Sequence, residues 1–443
     1  MRKSCPKEED TSVVYRSRGP AATPGPLPCA DSRKRLPPPF VTATRSPSHF
    51  RVRGLRVVHQ FVPGPLTALV LGVRGGARFD GKRPGLAHMA EHMLFQGTHL
   101  FDQRELNLRA AECGGNHNAE TGYESLDLTF EVLNEDFDDA LALLTEQFYA
   151  TRVDPKRFAK ERHVVLDEIR GYREDPLDYL HERAWRAFFE DPIGRPICGT
   201  LASVRSLEAA DVSRFLRRVC VNRNAVLCVV GGIDEPALRR SLRRHVREDG
   251  GAPPLRGAGA GGRRSGAMTL RGGPRGQGYV ARYVEVEPAP ENILALEVAL
   301  DLVGADADGA LFQAVREDHG FGYEVGAEVE CGVGWGAAIL SASARPGRTD
   351  ALARVMAEVL ENSLRSGFDP ADLARARKKR RYDRVSGAER RLDRAQALAN
   401  CVMTGFPLPE EAARIVDSLD DRTILEAWRK ALAGRSLVAV LTG

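Results

Sequence analysis

The stretch Gly85-Leu-Ala-His88-Met-Ala-Glu91-His92-Met-Leu-Phe95-Gln-Gly97-Thr98 carries the densest chemistry in this chain. Pro84 before it and Gly97 near its end predict a helix, on which His88 and His92 share one face with Glu91 alongside. Two imidazoles one turn apart can hold one zinc ion, and a carboxylate beside the metal can take a proton from water. That is hydrolytic geometry. Taken alone it is suggestive, because this composition yields an H-x-x-E-H string roughly once or twice in a hundred such chains. A third ligand would decide, since a catalytic zinc takes three protein ligands and keeps one position open. The candidate lies in Glu161-Arg-His-Val-Val-Leu-Asp-Glu168-Ile, where Glu161 and Glu168 are two helical turns apart and face the same way.

With Glu168 placed 76 residues after the second His and Glu161 one heptad before it, the set closely resembles the inverzincins of the pitrilysin, insulysin and mitochondrial processing peptidase family. The resemblance implies that His88, His92 and Glu168 bind one Zn2+, that Glu91 is the general base, and that Glu161 supports the site without ligating. Gly114-Gly115-x-x-Asn118-Ala119-x-Thr121 matches the family's G-G-x-x-N-A-x-T strand, which pairs with substrate backbone. Glu120 stands where relatives more often carry an aromatic or small residue. Arg316 and Tyr323, seven apart, resemble the family's Arg and Tyr that reach from the second domain to the scissile carbonyl. The activity this resemblance implies is that of a zinc metalloendopeptidase acting on unstructured peptides in a chamber of four domains. This chain supplies two, so a homodimer or a heterodimer with a homologous chain is implied. The rival reading is a non-catalytic scaffold or partner subunit, and such subunits have lost ligand or base residues that are all present here.

The elements that must position these residues fall into two halves. Leu55 to Val62 and Leu66 to Val73 read as strands joined by Pro63-Gly64-Pro65. An amphipathic helix from Asp138 to Tyr149 leads into Asp154-Pro155 and a second long helix. In the second half, Asp350 to Ser366 leads into Asp369-Pro370 and another. Each half closes on an apolar strand, Asn224 to Gly232 and Ser436 to Gly443. Duplication explains the likeness. The fold class is α+β: two homologous domains, each a mainly antiparallel sheet with helices on one face. The expected boundaries are a disordered tail over 1–50, holding nine of the 26 prolines, a zinc-binding domain over 51–248, a Gly-rich linker over 249–277 and the second domain over 278–443.

Composition narrows the function classes. Sixty-four Lys plus Arg against 60 Asp plus Glu leave a net charge of +4, too even for a chain devoted to nucleic acid or anionic membrane. No apolar run is long enough to span a bilayer, and no secretory h-region is visible, so the expected location is the cytoplasm, with import into an organelle as the alternative. The eight cysteines are scattered and read as free thiols. His117 and His163 read as surface histidines, and the run Arg377-Lys-Lys-Arg-Arg381 as a solvated or chamber-lining face.

Overall fold

The computed structural model describes residues 46–249, 255, 259–271, 276–304 and 306–442. Most of the expected tail and part of the expected linker lie outside these residues. Six strands form the first sheet: β1 (Ser48–Val52), β2 (Leu55–Phe61), β3 (Leu66–Arg74), β4 (Asn116–Thr121), β5 (Ser125–Leu133) and β6 (Ala225–Gly231), in the order β1-β2-β6-β3-β5-β4. The second holds β7 (Gly266–Leu270), β8 (Gly278–Glu285), β9 (Val325–Gly332), β10 (Trp335–Ala344) and β11 (Ser436–Leu441), in the order β7-β11-β8-β10-β9. In each sheet the closing strand slips between earlier ones, pairing parallel on one side (β6 with β2, β11 with β7) and antiparallel on the other. The short Pro63-Gly64-Pro65 link therefore joins β2 and β3 without making them a hairpin.

Two expected boundaries shift. Phe50 and Val52 pack against the first core, which draws β1 into the sheet and places residues 48–50 outside any tail. The expected linker contains β7, because Met268 and Leu270 pack into an apolar cluster while the backbone pairs with β11.

The helices that matter here are α1 (Leu86–Leu94), α2 (Phe137–Ala150), α3 (Pro155–Glu174), α4 (Pro176–Phe188), α5 (Ala209–Val219), α6 (Pro290–Val303), α7 (Thr349–Ser366), α8 (Pro370–Glu389) and α9 (Arg391–Thr404). Leu71, Leu128 and Phe130 of the first sheet meet Met89, Met93 and Leu144 of α1 and α2, while Leu340 and Val280 of the second meet Leu296 and Met356 of α6 and α7. The opposite faces are covered by exchange. Helix α4 of the first half lays Leu180, Ala184, Trp185 and Phe188 on Tyr279, Tyr283 and Ile339 of the second sheet. Helix α9 of the second half lays Ala395, Leu398 and Ala399 on Val58, Val70 and Cys228 of the first. Strands buried on both faces read as apolar runs, as Ala68 to Val73 does.

Within the basic run, Arg377 pairs with Asp421, Lys379 and Arg380 with Asp301, and Arg381 with Asp417. These cations tie α8 to its neighbours. Among the described residues no helix is long and apolar enough to cross a membrane.

Candidate active site

Helix α1 begins at Gly85, whose φ of 88° favours glycine, and an added Cβ there would sit 2.7 Å from the Cys198 carbonyl oxygen. Asp80, only 5% exposed, caps the helix from outside: Gly85 N–H donates to its Oδ2 at 2.7 Å and Ala87 N–H to its Oδ1 at 2.8 Å. Leu86, Met89, Ala90 and Met93 turn into the core, leaving His88, Glu91 and His92 half-buried on the opposite face. Their ligand atoms lie within 4.8 Å of one another.

Helix α3 starts on Asp154, which accepts from Lys156 and Arg157 N–H, with Pro155 in the first turn. It packs on α1 and brings two carboxylates. Glu168 Oε2 stands 3.4 Å from His92 Nε2 and 3.8 Å from His88 Nε2, and Glu161 Oε2 stands 3.2 Å from His92 Nδ1. Two ligands about 2.1 Å from one tetrahedral ion would lie roughly 3.4 Å apart, so this donor set fits zinc. Glu91 is engaged differently, its Oε2 accepting the Thr121 hydroxyl at 2.5 Å. Burial pushes the Glu91 carboxyl above its ordinary range, and burial with the neighbouring His92 brings His88 down to about 4, leaving its imidazole neutral as a metal ligand must be.

Strand β4 is the outer edge of its sheet and runs past α1. Ala119 and Thr121 line a cleft of about 490 Å³ together with His88 and Glu91, while Asn118 is exposed. The Thr121 hydroxyl serves Glu91. His117 is no surface residue: its Nε2 meets Gln147 Oε1 at 2.8 Å and its ring stacks on Phe130 at 4.5 Å, because α2 presents Gln147 to the strand. His163 is exposed as expected.

Sequence reasoning missed the other walls of the cleft, which include Tyr123, Tyr172, His181, Trp185 and Cys198 of the first half and Glu330 of the second. No motif marks them, since they converge from a turn, two helices, a loop and an edge strand of the other sheet. Arg316 and Tyr323 are together, the guanidinium 4.7 Å from the ring centroid, but they line a separate depression with Tyr279 and Leu177. Tyr323 is 71% exposed.

Comparison with known proteins addresses the family and the fold. Residues 56–200 match the family model described as insulinase (peptidase family M16), and residues 206–380 match the one described as the peptidase M16 inactive domain. An uncharacterized zinc protease of Mycobacterium tuberculosis is 30% identical over 348 residues, 76% of this chain and 78% of that protein. Another from Bacillus subtilis is 27% identical over 280 residues, 61% of this chain and 67% of that one. Among solved structures, a protease from Helicobacter pylori superposes with a TM-score of 0.82 at 18% identity, over 90% of this chain and 100% of that one. A peptidase M16 inactive domain from Pseudomonas fluorescens gives 0.81 at 16%, over 90% and 98%. At that identity the structural likeness speaks for the fold, and the sequence matches place the chain in a family: it belongs to peptidase family M16, the insulinase or pitrilysin family, whose relatives bear the name zinc protease.

Proposed function

We propose that this protein is a zinc-dependent endopeptidase that hydrolyses unstructured peptides. The carrying observation is the placement of Glu168 Oε2 against the ring nitrogens of both His88 and His92, with Glu91 beside them but bonded to Thr121. His88, His92 and Glu168 would hold the metal, and Glu161 would orient the His92 ring through Nδ1. When bound, zinc supplies Lewis-acid polarisation of the scissile carbonyl and of the attacking water.

The remaining steps fall to the chain's own groups. A peptide adds along the outer edge of β4 near Asn118, held by main-chain hydrogen bonds that tolerate many sequences. Glu91 removes a proton from water as the water oxygen bonds to the peptide carbon. The same carboxyl then delivers that proton to the nitrogen as the C–N bond breaks. Its partly buried setting, which favours the protonated form, suits both halves of the transfer.

Arg316 and Tyr323 would donate to the oxyanion. They lie outside the cleft of their own chain, so we assign them to the cleft of a second, homologous subunit that completes the chamber. The non-catalytic reading draws its support from the second half, which matches the inactive-domain model, and finds none in the first, where His88, His92, Glu91 and Glu168 come together.

Zinc content measured beside cleavage of a fluorogenic unstructured peptide tests the proposal. Replacing His88 or His92 by Ala, or Glu168 by Gln, should lower bound zinc and activity together. Glu91→Gln should abolish hydrolysis while zinc stays, and full activity in that variant would end the mechanism.

A further inference from the structure

The turn between β4 and β5 has two occupied ends. At one, Thr121 Oγ1 donates to Glu91 Oε2 at 2.5 Å. Three residues on, Glu124 Oε1 accepts from Val333 N–H at 3.0 Å and from the Trp335 indole N–H at 3.1 Å, both in the second half. Arg78, with its side chain 2% exposed, donates to the same Glu124 oxygen and to the Val333 carbonyl at 3.0 Å. One carboxylate oxygen thus gathers three donors from two segments of chain.

The residues between are held as firmly. Tyr123 stacks on Trp185 at 6.1 Å and meets Trp335 edge-on at 5.3 Å, and Gly122 O accepts from Ala77 N–H at 2.9 Å. The fit depends on missing atoms: a Cβ on Gly332 would lie 2.4 Å from the indole nitrogen and 2.6 Å from Glu124 Oε1, and one on Gly76 would lie 2.3 Å from Gly122 O. Only Gly122 and Tyr123 separate Thr121, whose hydroxyl donates to Glu91, from Glu124, which accepts from the Trp335 indole.

We propose that Glu124 is a positioning residue: it clamps the Val333–Trp335 turn of the second half and, through Thr121, sets the orientation of the Glu91 carboxylate. This deepens the reading of Glu91 as the base and rests on it. The half that matches an inactive domain thereby acts on the chemistry of its own chain, beyond walling the cleft.

The test uses the purified chain with Trp335→Phe, which removes the indole N–H together with part of the fused ring and keeps a six-membered ring against Tyr123, and with Glu124→Ala, Glu124→Gln and Thr121→Val. Trp335→Phe, Glu124→Ala and Thr121→Val should each lower kcat on a fluorogenic peptide by about tenfold, the scale of one lost orienting hydrogen bond, with KM and zinc content unchanged. Glu124→Gln, which keeps an acceptor oxygen, should recover most of the loss. In the Thr121→Val background Trp335→Phe should have no further effect, because the link it acts through is gone. Amide hydrogen exchange over residues 121–125 should quicken by about tenfold in Trp335→Phe. Independent, additive losses, or a change in KM alone, would overturn the clamp. If the wild-type chain cleaves no peptide, the endopeptidase reading fails separately and the exchange measurement decides, with unchanged protection refuting the proposal.

Discussion

Asp80→Ala is the sharpest probe of how α1 is held. The wild-type carboxylate is the acceptor for Gly85 and Ala87 N–H in a site 5% exposed, one turn from His88. Each buried N–H left without a partner costs roughly 1–3 kcal/mol, so the pair should cost about 4 kcal/mol. Burial pushes the Asp80 carboxyl up to about 7, against the three N–H groups of Ala87, Gly85 and Leu86 that favour its ionised form. A folded value above the unfolded one means that the unfolded chain releases its proton first as pH rises. The stabilising contribution is therefore whole below about pH 4 and is lost as pH climbs through about 7. Between pH 5 and pH 8 that loss is about 3 kcal/mol, at about 1.4 kcal/mol for each of roughly two units. Asp80→Ala should then cost about 2 kcal/mol at pH 5, where part of the contribution is already gone, and little or nothing at pH 8. Urea unfolding followed by circular dichroism with chelator present, so that metal binding adds nothing, reads both values. A penalty that grows with pH would refute the reasoning, since it would show that the α1 N-terminus keeps Asp80 ionised.

Trp185→Ala should destabilise the chain by about 3–5 kcal/mol, because α4 buries this ring between Tyr123, Tyr283 and Trp335 and its indole N–H donates to Ile193 O; thermal unfolding checks it. Tyr323→Phe and Arg316→Ala should each cut kcat by about 10²-fold with zinc content unchanged, and near-wild-type rates in both would confine the second half to structural work. Light scattering should show a dimer or a complex with a homologous chain, and a fully active monomer of 48.5 kDa would exclude the shared chamber.

The arrangement of the candidate site was legible because it rests on local periodicity. His88, Glu91 and His92 on one turn, and Glu161 and Glu168 two turns apart, face as they do in any α-helix, and the Asp-Pro starts of α3 and α8 declare themselves by capping chemistry. The duplication was legible for the same reason, as repeated helix pairs and closing strands. What the periodicity did not state is that Thr121 of the expected strand turns its hydroxyl to Glu91.

What lay beyond the sequence is what depends on which surfaces meet. No periodicity says that β6 enters between β2 and β3, that α4 and α9 change places over the two sheets, or that Glu330 from an edge strand of the second half closes a cleft around Glu91. Asp80 and Glu124 read as ordinary acids until their acceptor oxygens are seen gathering N–H groups from other segments. Helix faces and caps are determined by residues within a turn or two of one another, and the chain states them outright. The exchanged helices, the shared cleft and the position of Arg316 and Tyr323 outside it depend on packing between residues far apart in sequence, and only the folded chain decides them.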